Sequence, residues 1–154
     1  MKNSPLVAIC VTTAFSLAAA SMAFADGHKT AAPEGASVYF INLADGDTVT
    51  SPLTVRFGLS GMGIAPSGIS EKENVGHHHL LINRAPFGTG PDGADDWEYG
   101  ILADDNHVHF GGGQTEYTFE LPKGQHTLQL VLGDHAHVPF GPELTTEQIT
   151  ITVN

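Results

Sequence analysis

Six of the nine histidines in this chain fall into three pairs with the same spacing. His77 and His79 lie in Gly76-His77-His78-His79, His107 and His109 flank Val108, and His135 and His137 flank Ala136. A strand sends alternate side chains to one face, so each His-x-His offers two imidazoles on one side. Imidazole is a ligand for zinc, copper and nickel. The spacing predicts a transition-metal site, copper or zinc, with His77, His79, His107, His109, His135 and His137 as its ligands. The sole cysteine, Cys10, lies in the leader described below, and Met62 is the only methionine beyond that leader. Thiolate zinc sites, blue copper and thioether-rich Cu(I) carriers are therefore excluded, and a sulfur-free nitrogen site suits Zn(II), Cu(II) or Ni(II). The acidic run Asp92-Gly93-Ala94-Asp95-Asp96-Trp97-Glu98 lacks the register of a calcium loop and reads as a solvated turn.

The amino terminus carries a second metal signal. Lys2, the apolar run from Leu6 to Ala20 and Ala23-Phe24-Ala25 have the form of a secretory signal peptide over residues 1–25. Its apolar core is too short to span a bilayer. The expected product is a periplasmic or secreted protein with no membrane insertion of the mature chain. A cut after Ala25 leaves Asp26-Gly27-His28 at the new terminus. Its amine, two amide nitrogens and imidazole can wrap Cu(II) or Ni(II) in the square plane those ions prefer. The formal net charge is −11 and the leader removes only a lysine, so the exported chain is more acidic still. Such a surface repels nucleic acid and anionic lipid and favours cations.

Residues 26–36 are small and polar and read as a flexible lead-in. Residues 37–154 read as short strands separated by turns, at 37–42, 53–60, 77–83, near 97–103, 114–121, 125–133 and 147–153. Leu53, Val55, Phe57 and Leu59 alternate, as do Tyr117, Phe119 and Leu121, then His126, Leu128, Leu130 and Leu132, then Ile149, Ile151 and Val153. No window has a helical period. About seven strands predict an all-β fold, a single immunoglobulin-like β-sandwich.

In such a sandwich the histidine pairs meet at one pole, with His77–His79 opening the third strand, and with 107–109 and 134–137 in neighbouring connections. A hairpin turning at Lys123-Gly124 would set His109 opposite Val138 and His107 opposite Phe140. His78 shares its face with Leu80 and Ile82 and reads as buried. His126 shares a face with Leu128 and Leu130 at the far end and takes a structural role. Gln114, Glu116 and Asp134 are expected to accept hydrogen bonds from ligating imidazoles. Gly111-Gly112-Gly113 lacks the lysine and the strand–loop–helix context of a phosphate cradle.

The segments Gly76-His77-His78-His79-Leu80-Leu81-Ile82, His109-Phe110-Gly111-Gly112-Gly113-Gln114-Thr115-Glu116, His126-Thr127-Leu128-Gln129-Leu130 and Gly133-Asp134-His135-Ala136-His137-Val138-Pro139 resemble the bacterial domain of unknown function 4399 family. The likeness covers roughly residues 37–154. It implies an exported single β-domain with no established activity, and it marks His77, His78, His79, His109, Gln114, Glu116, His126 and His137 as signature positions.

Three functions compete. The first is an exported metal-binding protein that buffers, carries or delivers copper or zinc, its partners being the ion and a further periplasmic protein. The second is a non-catalytic interaction or assembly module with structural histidines. The third is a metal-dependent enzyme with Glu116 as base, for which no motif fixes a reaction. The expectation is a protein that is not an enzyme.

Overall fold

The computed structural model describes residues 29–69, 72–91, 93, 96, 103–141 and 143–154. The signal peptide, Asp26-Gly27-His28 and most of the strand expected near 97–103 lie outside these. Nine strands are described: β1 (Ser37–Phe40), β2 (Thr48–Val49), β3 (Leu53–Ser60), β4 (Gly63–Ile64), β5 (Val75–Ile82), β6 (His107–His109), β7 (Glu116–Phe119), β8 (Gly124–Gly133) and β9 (Ile149–Val153). They form two sheets. One has the order β1-β3-β7 and the other β2-β9-β8-β5-β4, with β6 paired to β5. Setting the short β2, β4 and β6 aside, β1, β3 and β7 share one sheet and β5, β8 and β9 share the other. That is the immunoglobulin-like distribution.

Period-two sequence explains the packing. The alternating apolar residues of β3, β8 and β9 supply one core with Val38, Leu80, Ile82, Phe110 and Phe140. The larger sheet is also covered on its other side. Leu81 of β5, Val131 of β8 and Phe87 from the following segment form a second, small apolar cluster there. Gln129 fastens this cover, accepting from Phe87 N at 2.8 Å and donating to Thr146 O at 2.8 Å. Arg84 and Asp96 close the same segment with a buried ion pair at 2.6 Å. Covered on both faces, β5 is buried from Gly76 to Ile82.

Three expectations need correction. Residues 107–109 are not a connection but an edge strand, antiparallel to β5, with His79 opposite His109 and Leu81 opposite His107. The hairpin across Lys123-Gly124 does not pair, because β7 and β8 belong to opposite sheets. The lead-in is held from Thr30 onward, where Ala32 N donates to Gly141 O at 2.9 Å and Gly141 N donates to Thr30 O at 3.0 Å. Among the described residues no helix is long and apolar enough to cross a membrane.

Candidate metal centre

The sheet itself assembles the site. In β5, His78, Leu80 and Ile82 point into the sandwich core, so His77, His79 and Leu81 point to the outer face. Register then brings neighbours onto that face: Gly133 opposite His77, Val131 opposite His79, and His109 opposite His79. His137 arrives from the turn that follows β8. One ring nitrogen from each of His77, His79, His109 and His137 lies within 4.8 Å of all the others.

The turn is built around Asp134. Its Oδ1 accepts from Ala136 N at 2.8 Å and from Val138 N at 3.0 Å, and its Oδ2 accepts from Thr30 Oγ1 at 2.8 Å. Asp134 N donates to Val138 O at 2.8 Å, and His137 N donates to Asp134 O at 3.0 Å. Asp134 is 4% exposed, so its carboxylate is solvated by these fixed donors rather than by water. His137 has φ 68°. This left-handed conformation is uncommon for any residue with a Cβ. A turn that would suit glycine carries a histidine instead, and the imidazole reaches His77, its Nδ1 lying 3.2 Å from His77 Nε2.

Two glycines keep the imidazoles close. A Cβ on Gly133 would stand 2.8 Å from His79 Nε2, and one on Gly111 would stand 2.4 Å from His109 Cε1. Each lies two residues from a histidine pair, Gly111 after His109 and Gly133 before His135, and no local pattern marks either for this role. Gly133→Ala is expected to push the His79 ring off the cluster and to weaken metal binding at least tenfold, with the β-fold retained. A metal titration alongside far-ultraviolet circular dichroism checks both halves, and unchanged affinity would refute the role of Gly133.

Burial and crowding keep His77, His79 and His109 neutral. His77 and His79 are 1% and 0% exposed, while His109 and His137 are half-buried. Burial, then the neighbouring His109 and His137, pull the pKa of His77 down to about 4, against a smaller upward pull from the Asp134 carboxylate. Burial, then His77, His107, His109 and His137, hold His79 well below the ordinary imidazole value. Burial and then His137 lower His109. Each of these three rings therefore presents a lone pair at neutral pH. Two ring nitrogens of the cluster stand alone: His109 Nε2 and His77 Nδ1 are buried without a hydrogen-bond partner. His77 Nε2 is shared, 3.0 Å from His79 Nε2 and 3.2 Å from His137 Nδ1. A nitrogen holding one proton or one lone pair cannot serve both neighbours fully.

The remaining predicted residues fall elsewhere. His107 is fully buried beside the cluster, its Nε2 3.0 Å from His79 Nδ1. His135 lines a cavity of about 10 Å³ with Lys72, Val75 and His77 but does not join the four. His78 faces the core against Phe57, with ring centroids 5.2 Å apart. Burial lowers its pKa, and the nearby carbonyls of Gln114 and Gly58 oppose that effect. Neither of its nitrogens completes a hydrogen bond of good geometry. His126 is structural: its Nε2 donates to Pro122 O at 2.8 Å, and its Nδ1 accepts from Asn83 Nδ2 at 2.9 Å. Glu116 is not beside the ligands. It sits on β7 in the other sheet, exposed, and pairs with Arg56 at 3.3 Å. Gln114 is exposed and its Oε1 accepts from Gly112 N at 3.0 Å, so its side chain closes the glycine turn instead of holding an imidazole. Among the described residues, none of the three expected helpers accepts a hydrogen bond from a ligating imidazole; Asp134 instead shapes the turn that carries His137.

Residues 55–154 match the family described as a domain of unknown function (DUF4399). The chain belongs to the DUF4399 family. The matched span contains every residue of this DUF4399 domain's histidine cluster and both glycines that admit it. Comparison with curated proteins and with solved structures gives no match.

Proposed function

We propose that this is an exported protein that binds one copper or zinc ion through His77, His79, His109 and His137, and that it buffers or hands on the ion rather than catalysing a reaction. The observation that carries this reading is the convergence of four imidazole nitrogens within 4.8 Å of one another. Nitrogens about 2.0–2.1 Å from a zinc ion stand roughly 3.4 Å apart at the corners of a tetrahedron. The contacts at 3.0 and 3.2 Å are close to that edge before any adjustment. An ion would take the lone pairs that now compete or stand idle, which is the most direct relief for imidazoles crowded this closely.

The donor chemistry supports copper or zinc over harder ions. The four donors are all imidazole, and magnesium and calcium demand oxygen. Four protein ligands also fill a tetrahedral shell, whereas catalytic zinc keeps one position open. The half-buried His109 and His137 line the solvent side, with His77 and His79 behind them. That layout suits an ion that enters and leaves through the 109 and 137 side. A leader over residues 1–25 would place the domain in the periplasm or outside the cell, where a second exported protein is the proposed receiver of the ion.

The deciding experiment is equilibrium dialysis of the untagged mature protein against limiting Zn(II), Cu(II) and Ni(II). One tightly bound ion is expected, lost when His77, His79, His109 and His137 are all changed to alanine and kept when residues 26–28 are deleted. Loss only upon that deletion would move the site to the amino terminus. Binding no tighter than micromolar in every form would leave an interaction module with structural histidines.

A further inference from the structure

His107 belongs to a His-x-His pair, yet it does not share the role of His109. Both lie on the outer face of the sheet, and register separates them. His109 stands opposite His79, and His107 stands opposite Leu81, one pair further along β5. His107 therefore approaches the His79 ring from the side away from the cluster. Its Nε2 lies 3.0 Å from His79 Nδ1, while His79 Nε2 faces His77 Nε2 at 3.0 Å. Each nitrogen of His79 thus has one assigned neighbour, one inside the cluster and one outside.

A neutral imidazole carries one proton on one of its two nitrogens. With the proton on Nδ1, His79 donates to His107 and turns the Nε2 lone pair toward His77, His109 and His137. With the proton on Nε2, a hydrogen fills the space where an ion would sit. The acceptor at Nδ1 decides between the two. We propose that His107 is a positioning residue that accepts the Nδ1 proton of His79 and so fixes His79 as an Nε2 ligand, and that it is not itself a ligand. The inference rests on the metal-binding reading above and deepens it by giving a fully buried fifth histidine a distinct task. Partners of this kind orient a ligating imidazole and raise its basicity, and their removal costs about 10–100-fold in metal affinity.

The experiment compares wild type, His107→Leu, His107→Gln and His79→Ala by Zn(II) titration against a competing chelator. It adds ¹⁵N ring shifts of the histidines in the zinc-loaded wild type. The expected result is one zinc in wild type and in His107→Leu, with affinity lowered about 10–100-fold in the leucine variant. Glutamine, whose side-chain oxygen can accept the same hydrogen bond, restores most of it. The ring shifts should show His79 protonated at Nδ1 and bound through Nε2. Wild-type affinity in His107→Leu would overturn the proposal, as would a lost zinc equivalent that glutamine does not restore, or His79 bound through Nδ1. No zinc bound by the wild type would instead sink the underlying reading. Should His107→Leu fail to fold, the ring shifts of the unmutated protein still decide the tautomer.

Discussion

Saturating the metal-free protein with Zn(II) is expected to raise its melting temperature by about 10 °C, and His79→Ala is expected to abolish that rise. Binding to the folded state alone adds RT ln(1 + [L]/Kd), about 2.7 kcal/mol at a hundredfold excess over Kd. A domain of this size gains roughly 4 °C per kcal/mol. His79 is the most sensitive position because it is wholly buried at the floor of the cluster and its two nitrogens are each 3.0 Å from another histidine. No water can take its place at the inner corner as easily as at the half-exposed His109 or His137. The control is His126→Ala. It removes hydrogen bonds to Pro122 O and Asn83 Nδ2 and leaves both groups without that partner. That variant should lose about 1–3 kcal/mol with or without metal and keep the full zinc increment. The readout is the difference between metal-free and loaded melting curves for each protein, so changes in basal stability cancel. An equal rise in wild type and His79→Ala would mean that the four histidines do not hold the ion.

The sequence carried the alternation and not the pairing. His78 aligns with Leu80 and Ile82, and His126 with Leu128 and Leu130, so their inward direction followed from period two alone. The same period put His77 and His79 on one outer face. That the three segments carrying the histidine pairs lie near one another was likewise legible, because an immunoglobulin-like order places them together, although only four of the six histidines converge. Which histidine meets which was not. His109 reaches His79 through an edge strand of the larger sheet, whereas the sequence pointed to a hairpin with the segment around Val138. Gln114 and Glu116 follow His109 closely in sequence, but the chain crosses to the opposite sheet between them and β6, so nearness along the chain says nothing about the site. His135 and His137 part company because 134–138 is a turn around a buried carboxylate, and a residue with φ 68° does not follow strand alternation. Pairing depends on contacts distant in sequence, which no local pattern encodes, and the turn around Asp134, although local, does not follow the strand alternation by which 135–137 was read.

Acid is expected to destabilise the metal-free protein through the same rings. In the unfolded chain His77 takes up a proton as the pH falls through 6.5, but in the folded domain it stays neutral until about pH 4. Between these values the unfolded state binds more protons, so stability rises with pH and is lost as pH falls. His77 alone accounts for about 2 kcal/mol between pH 7 and pH 5 and about 3 kcal/mol once the pH passes below 4. His78, His79 and His109 are lowered as well and act in the same direction. The acidic surface works against this trend, since protons relieve its self-repulsion, so the decisive comparison is between variants and not between pH values alone. Urea unfolding of the metal-free protein at pH 7, 6 and 5 should give a steeper loss for wild type than for His77→Ala. Wild type and His77→Ala carry the same acidic residues, so the difference between their slopes belongs to the imidazoles. Parallel curves for the two proteins would show that His77 is not held neutral by burial and by its neighbours. A bound ion occupies the lone pairs that protons must reach, so zinc-loaded wild type should keep its stability to lower pH than the metal-free form and then lose it over a narrower range.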